Sequence, residues 1–261
     1  SLEERVRPVL YINKIDRLIK ELRLTPEKMQ EKLANVVSAF NTLIDTYAEP
    51  EYRDKWKVSI QDGSVTFGSA KDKWGFNLDI MKEKGISFKD VFAAYTDDGN
   101  VDDLAEKVPL AEAILGMVVK HHPPPHEAQK YRVPKIWKGD LDSDIGKAIL
   151  NCDDNGPAVM MIVNMQMDPA AGPVAIGRLF AGTLKDGQSV HLIDTHREGR
   201  IQSVNFFMGN QREMVGELSA GNIPALLGLG EARAGQTLST IKDIAVFEGI
   251  KYVSEPVVQM A

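Results

Sequence analysis

An α/β unit followed by an all-β antiparallel barrel is the fold class this sequence predicts, and three features of its 261 residues predict it. Val9-Leu-Tyr-Ile12 is an unbroken apolar run of the kind that fills a parallel strand covered on both faces. Helical patterns follow as far as His121-His-Pro-Pro-Pro125, where proline cannot continue a helix and an extended stretch is expected. Beyond it, short apolar segments alternate with Asn155-Gly156, Asp186-Gly187 and Ala220-Gly221, the texture of a barrel's strands and turns.

Taken in order, the first long helix is announced by Thr25, a capping residue, and Pro26, which the first helical position tolerates. Met29, Leu33, Val36, Val37, Phe40, Leu43, Ile44 and Tyr47 then recur by threes and fours, predicting one buried stripe. Lys57–Ile60 and Ser64–Phe67 flank Gln61-Asp62-Gly63, a hairpin or tight-turn signal. Residues 77–120 read as helical, with Pro109 opening the last helix through Leu110, Ile114, Leu115 and Val118. Barrel strands are expected at Ala158–Val163, Val174–Phe180, Ser189–Ile193, Ile201–Val204 and Ile223–Leu227. The chain opens without Met, and nothing precedes Val9–Ile12 to supply neighbouring strands. It therefore reads as a piece of something longer, an edge strand in a complete small domain being the alternative.

Composition narrows the function. With 31 Lys+Arg against 37 Asp+Glu the net charge is −6, which argues against coating nucleic acid by charge alone. The single cysteine, Cys152, excludes a disulfide framework and a cysteine zinc site and fits a reducing, cytoplasmic setting. No apolar run approaches the ~20 residues of a membrane span.

The sharpest motif is Asn13-Lys14-Ile15-Asp16, directly after the strand Val9–Ile12. Open α/β sheets bind ligands at the carboxyl ends of their strands. An Asp carboxylate there can accept from two adjacent donors, and guanine offers such a pair at N1–H and its 2-amino group. Adenine has a lone pair at N1 and would leave the carboxylate unsatisfied. Asn can bond the N7/O6 edge while the Lys stem lies along the purine. Charged hydrogen bonds contribute ~1.5–3 kcal/mol each, and a site built for them rejects a base lacking them by about 10⁴ or more. Ser69-Ala70-Lys71 also follows a strand and can present a backbone N–H to guanine O6. No Gly-x-x-x-x-Gly-Lys-[Ser/Thr] loop occurs, so the sequence shows base recognition without a phosphate cradle or a Mg²⁺ hydroxyl.

Three other patterns read as structural. Asp140-x-Asp142-x-Asp144 has its glycine one place late and Asn151 where a calcium loop needs Glu, so a solvated acidic turn is expected. His121, His122 and His126 are splayed by prolines, with no carboxylate or Cys to complete a metal set. Gly228-Leu-Gly230 lacks a third glycine and reads as a turn.

Together with Met117–Pro125, Glu127–Arg132, Cys152–Pro157, Gly177–Gly182 and Ala220–Ile223, these motifs resemble the archaeal and eukaryotic elongation factor 2 family along the whole chain. That family comprises translocation GTPases related to bacterial elongation factor G. The short form of residues 17–66 looks archaeal, and Ser254–Val258 resembles the entry to the family's third domain. The resemblance implies the C-terminal part of a P-loop GTPase G domain at 1–122, with a subdomain inserted at about 21–64. A linker at 123–134, the second, β-barrel domain at 135–242 and a further linker at 243–261 would follow. It implies that Asn13, Lys14, Ile15 and Asp16 recognise guanine and that Ser69, Ala70 and Lys71 complete the pocket, with no catalytic residue in this chain. For the intact parent it implies GTP/GDP with Mg²⁺, the ribosome and the tRNA–mRNA complex, and neither membrane nor DNA. Arg178, Arg197 and Arg200 are candidate phosphate partners on the barrel, solvated surface arginines being the plainer reading. Alternatives of other kinds are a non-catalytic RNA- or protein-binding barrel and a sister translational or splicing GTPase.

Overall fold

The structure, a computed structural model, describes residues 2–96, 98–209 and 211–249, so Ser254–Val258 lies outside the described residues. The chain divides between His122 and Pro123 into two compact units.

The first unit runs β1 (Leu10–Ile12), α1 (Ile15–Lys20), α2 (Pro26–Tyr47), α3 (Arg53–Trp56), β2 (Val65–Ser69), β3 (Trp74–Phe76), α4 (Leu78–Lys84), α5 (Phe88–Ala94), α6 (Val101–Lys107) and α7 (Leu110–His121). Its sheet has the order β1-β2-β3. Strand β1 runs parallel to β2, pairing Leu10 with Val65 and Ile12 with Phe67. Strand β3 returns antiparallel, pairing Phe67 with Phe76. β2 is buried throughout, whereas β1, expected to be covered on both faces, is half-buried and stands at the sheet's edge among the described strands. Trp74 and Phe76 stack at 5.8 Å between centroids, and Phe88 meets Phe67 and Phe76 edge-on, forming an aromatic core.

Two sequence expectations are corrected here. Residues 57–60 form no strand and no hairpin with Ser64–Phe67. The Asn41 side chain takes both backbone groups of Val58, each at 2.9 Å, where a strand partner would have taken them. Helix α2 starts where expected, with Thr25 Oγ1 accepting from the Lys28 N–H at 3.4 Å. Its stripe is only partly buried: Met29, Leu33 and Ile44 are sealed, but Leu43 is 51% and Tyr47 54% exposed. On α7 the buried positions are Ala113, Met117 and His121, while Leu115 and Val118 are exposed.

The second unit begins with helices rather than the expected extended linker at 123–134. Helix α8 (Pro125–Ile136) carries Pro125 in its first turn, where the missing N–H costs nothing, and α9 (Asp144–Asn151) is capped by Ser143. The helices fill the beginning of the domain expected at 135–242, and the strands of the barrel start at Val159, where the first of them was expected. They are β4 (Val159–Asp168), β5 (Gly172–Ala181), β6 (Thr183–Lys185), β7 (Ser189–Leu192), β8 (Arg197–Arg200), β9 (Ser203–Met208), β10 (Gln211–Met214), β11 (Glu217–Ser219), β12 (Ala225–Leu227) and β13 (Thr237–Ser239). Eight of them form one antiparallel sheet, in the order β10-β9-β12-β5-β4-β13-β7-β8, and β6 pairs with β11. The inner face buries Met160, Ile162, Leu179, Val190, Leu226 and Leu238. A second cluster of Val133, Trp137, Ile149, Val159, Phe180 and Phe247 seats α8 and α9 on the outer face. Gln129 of α8 reinforces this seat by donating to the carbonyls of Ile149 and Phe180.

Candidate functional site

Because β1 and β2 are parallel and in register, the loops after Ile12 and after Ser69 leave the same end of the sheet. That places Asn13–Asp16 beside Ser69–Lys71. The link between them is one side-chain oxygen. Asn13 Oδ1 accepts from the Ala70 N–H at 2.9 Å, the Lys14 N–H at 2.8 Å and the Tyr11 hydroxyl at 3.2 Å. Lys14 takes a left-handed backbone (φ 67°) at the start of α1, which turns the chain sharply from strand to helix.

The seven candidate residues separate into two sorts. Asn13, Lys14, Ala70 and Lys71 are exposed. Ile15 is fully buried in the core and anchors the loop rather than facing a ligand. Ser69 is also fully buried, its hydroxyl accepting from the Asp72 N–H at 3.1 Å to hold the turn. Asp16 is 6% exposed, yet no described residue donates to its carboxylate, and its oxygens are not among the atoms sealed from solvent. Asp16 therefore sits in the first turn of α1 with acceptors that no described residue fills. Burial, with the Asp16 charge adding to it, pushes the Tyr11 phenol up to about 12, so it stays a neutral donor to Asn13.

Around this pair lies a network that sequence reasoning missed. The Tyr95 hydroxyl donates to Asp72 Oδ2 at 2.5 Å and accepts from Trp74 Nε1 at 2.7 Å. Lys20 Nζ stands 4.6 Å from the centre of the Tyr95 ring and 3.9 Å from Asp72. Burial first, then the Asp72 contact, raises the Tyr95 pKa well above its ordinary value. Gly68 is required between the loops: a β-carbon there would stand 2.4 Å from the Trp74 carbonyl oxygen and 3.1 Å from the Tyr11 hydroxyl. A signal existed in the glycine directly preceding Ser69, but Tyr95 sat in a stretch readable only as helical.

Of the other motifs, the acidic stretch forms the expected turn, whereas His121 closes α7 and His126 lies in α8 rather than in an extended linker. Asp140 Oδ1 accepts from the Asp142 N–H at 2.9 Å in a surface turn. Among the described residues no group of three or more His, Cys, Asp or Glu side chains is placed to hold a metal. No described helix is long and apolar enough to cross a membrane.

Comparison with known proteins agrees with the motifs. Residues 157–241 match the protein-family model Elongation factor G domain 2. Over its whole length the chain is 75% identical to Elongation factor 2 of Cenarchaeum symbiosum, covering 36% of that protein. It is 53% identical to Elongation factor 2 of Sulfurisphaera tokodaii and 51% to that of Sulfolobus acidocaldarius, again across the entire chain and 36% of each relative. The chain thus spans 36% of the length of the relatives it matches, and the resemblance carried by its motifs extends from end to end.

Proposed function

We propose that this chain, similar to elongation factor 2 throughout, carries the guanine-recognition loops and second domain of a translational GTPase. In this reading the whole protein couples GTP binding and hydrolysis to movement of tRNA and mRNA on the ribosome. Asp16 accepts from guanine N1–H and the 2-amino group, and the Asn13 amide donates toward the N7/O6 edge. Lys14 covers the purine face with its stem. Ala70 commits its N–H to Asn13, so guanine O6 shares that donor or takes the Lys71 N–H. Ile15 and Ser69 act by holding these groups in place.

The observation that carries the reading is the Asn13 Oδ1 junction, which brings the two loops together beside an open Asp16 carboxylate. The described residues bring together no group of three or more His, Cys, Asp or Glu side chains for a metal. Phosphate and metal contacts belong, in this reading, to other parts of the whole protein. The 261-residue chain alone is therefore expected to bind GTP too weakly for detection and to hydrolyse none, since the phosphates supply most of the affinity. Micromolar GTP binding by titration calorimetry would contradict that.

The role of Asp16 is tested in the full-length factor with Asp16→Asn. Asn can donate where xanthine presents an oxygen, so preference should move from GDP to xanthosine diphosphate in a competition assay. Retained guanine preference overturns the assignment.

A further inference from the structure

The outer face of the barrel holds two arginines with no acid to answer them. Arg132 lies on α8 one turn beyond Gln129, whose amide reaches the Phe180 carbonyl on β5. Arg178 lies on β5 two residues before Phe180, so its side chain leaves the strand on the same face, toward α8. Both are half-buried, and the Arg132 Nε is sealed from solvent with no hydrogen-bond partner. Other half-buried arginines find acceptors: Arg5 pairs with Glu49, Arg53 donates to the Ala48 carbonyl, and Arg212, though its Nη1 is sealed without a partner, pairs with Asp168 through Nη2. Among the described residues neither Arg132 nor Arg178 is paired with a carboxylate.

A third side chain closes the group. Cys152 ends α9 in a left-handed backbone (φ 57°), and its Sγ, with Pro125, crowds Gly221 so closely that a β-carbon there would stand 3.1 Å from each. Gly221 itself needs its positive φ of 85°. Burial raises the Cys152 thiol above its ordinary value despite the nearby Arg178, so at neutral pH it carries no charge to offset the guanidiniums. Burial above all lowers Arg178; Cys152 opposes that shift and the neighbouring Arg132 adds to it.

We propose that Arg132 and Arg178 form an oxyanion site on the barrel's outer face, matched to a phosphate group. Two forked guanidiniums present more N–H donors than one carboxylate can accept, and a phosphate has the oxygens to meet both. A single carboxylate would leave one positive charge unanswered. The site lies wholly within the second unit and does not depend on the guanine pocket.

The test follows the arginine Nε–H resonances of the 261-residue chain by NMR as inorganic phosphate is added, with chloride holding ionic strength constant. Saturable shifts of Arg132 and Arg178, half complete at roughly 1–10 mM phosphate, are expected. Arg132→Gln or Arg178→Gln should weaken the midpoint about tenfold at the remaining arginine. Arg197→Gln should leave it unchanged, because Arg197 is engaged by Glu231. Lysine replacements, which keep the charge, provide the same comparison if a glutamine variant unfolds. Fluorescence anisotropy with a short labelled RNA distinguishes the source. Binding lost in both variants identifies a phosphodiester, and phosphate binding without RNA binding identifies a free oxyanion; either supports the site. Shifts that rise linearly without saturation, or midpoints unmoved in both variants, overturn it.

Discussion

The barrel and the paired strand-end loops keep their shapes by opposite means. In the barrel, Met160, Ile162, Leu179 and Leu238 are excluded from solvent and locked by antiparallel ladders on both sides. In the loops, one exposed residue, Asn13, gathers three donors with a single oxygen. An apolar interior maximises stability and is indifferent to ligand identity. A polar junction contributes less but fixes where its neighbours point, and beside it the Asp16 carboxylate has no donor among the described residues. The first design should fail globally when broken, and the second locally.

The largest expected effect tests the barrel half of that contrast. Leu179→Ala removes a fully buried side chain from the inner face and should cost about 2–5 kcal/mol. Hydrogen exchange followed by mass spectrometry should show faster exchange across β4, β5 and β12 together. Acceleration confined to β5 would mean that the barrel does not behave as one cooperative unit.

Asn13→Ala tests the other half. Its three contacts are exposed, so the cost should be nearer 1–2 kcal/mol than their sum. Exchange at the Ala70 and Lys14 amides should rise while β2 and the barrel strands stay protected. Unchanged protection at Ala70 would show that the loops are held together by something other than this side chain.

How much of this could be read beforehand follows from the range of each interaction. The Thr25–Pro26 start of α2 and the strand texture after 158 were legible because caps, turns and alternation are local. The two loop motifs were legible because each follows its strand directly. The partial exposure of Leu43 and Tyr47 was not, because periodicity reports that a face is apolar and not whether anything covers it. The helix at Pro125–Ile136 was missed because proline was read as a breaker, when in a first turn it is a starter. The supposed strand at 57–60 was lost to Asn41, a contact between residues 17 apart that no local pattern contains. In the site, Asp72, Trp74 and Tyr95 were invisible for the same reason: their network exists only once the first unit has closed.

His121 offers a finer probe of the first unit. It is buried, its Nε2 has no partner, and burial above all holds its pKa below the ordinary 6.5. Lys120 and Arg7 act in the same direction, whereas Asp62 opposes them. A base with a depressed folded pKa binds its proton more readily when unfolded. Stability should therefore fall as pH drops below about 6.5, by less than about 1.4 kcal/mol per pH unit, the ceiling for one proton. In His121→Gln that part of the pH dependence should vanish from urea midpoints taken between about pH 7 and pH 5. A slope identical to the parent's would assign the acid sensitivity to other groups.

The smallest effect concerns the cap of α2. Only Met29, Leu33 and Ile44 seal this 22-residue helix, so its first turn leans on local chemistry more than a barrel strand does. Thr25 Oγ1 accepts from Lys28 at a long 3.4 Å, and Thr25→Ala should cost about 0.5–1 kcal/mol, the low end for a lost cap. Fraying should be confined to residues before Met29, the first buried anchor, because packing takes over from hydrogen bonding there. Exchange rates rising as far as Ile44 would mean that the cap, and not the three buried anchors, nucleates the helix. The division between local polar control and apolar packing would then run through α2 itself.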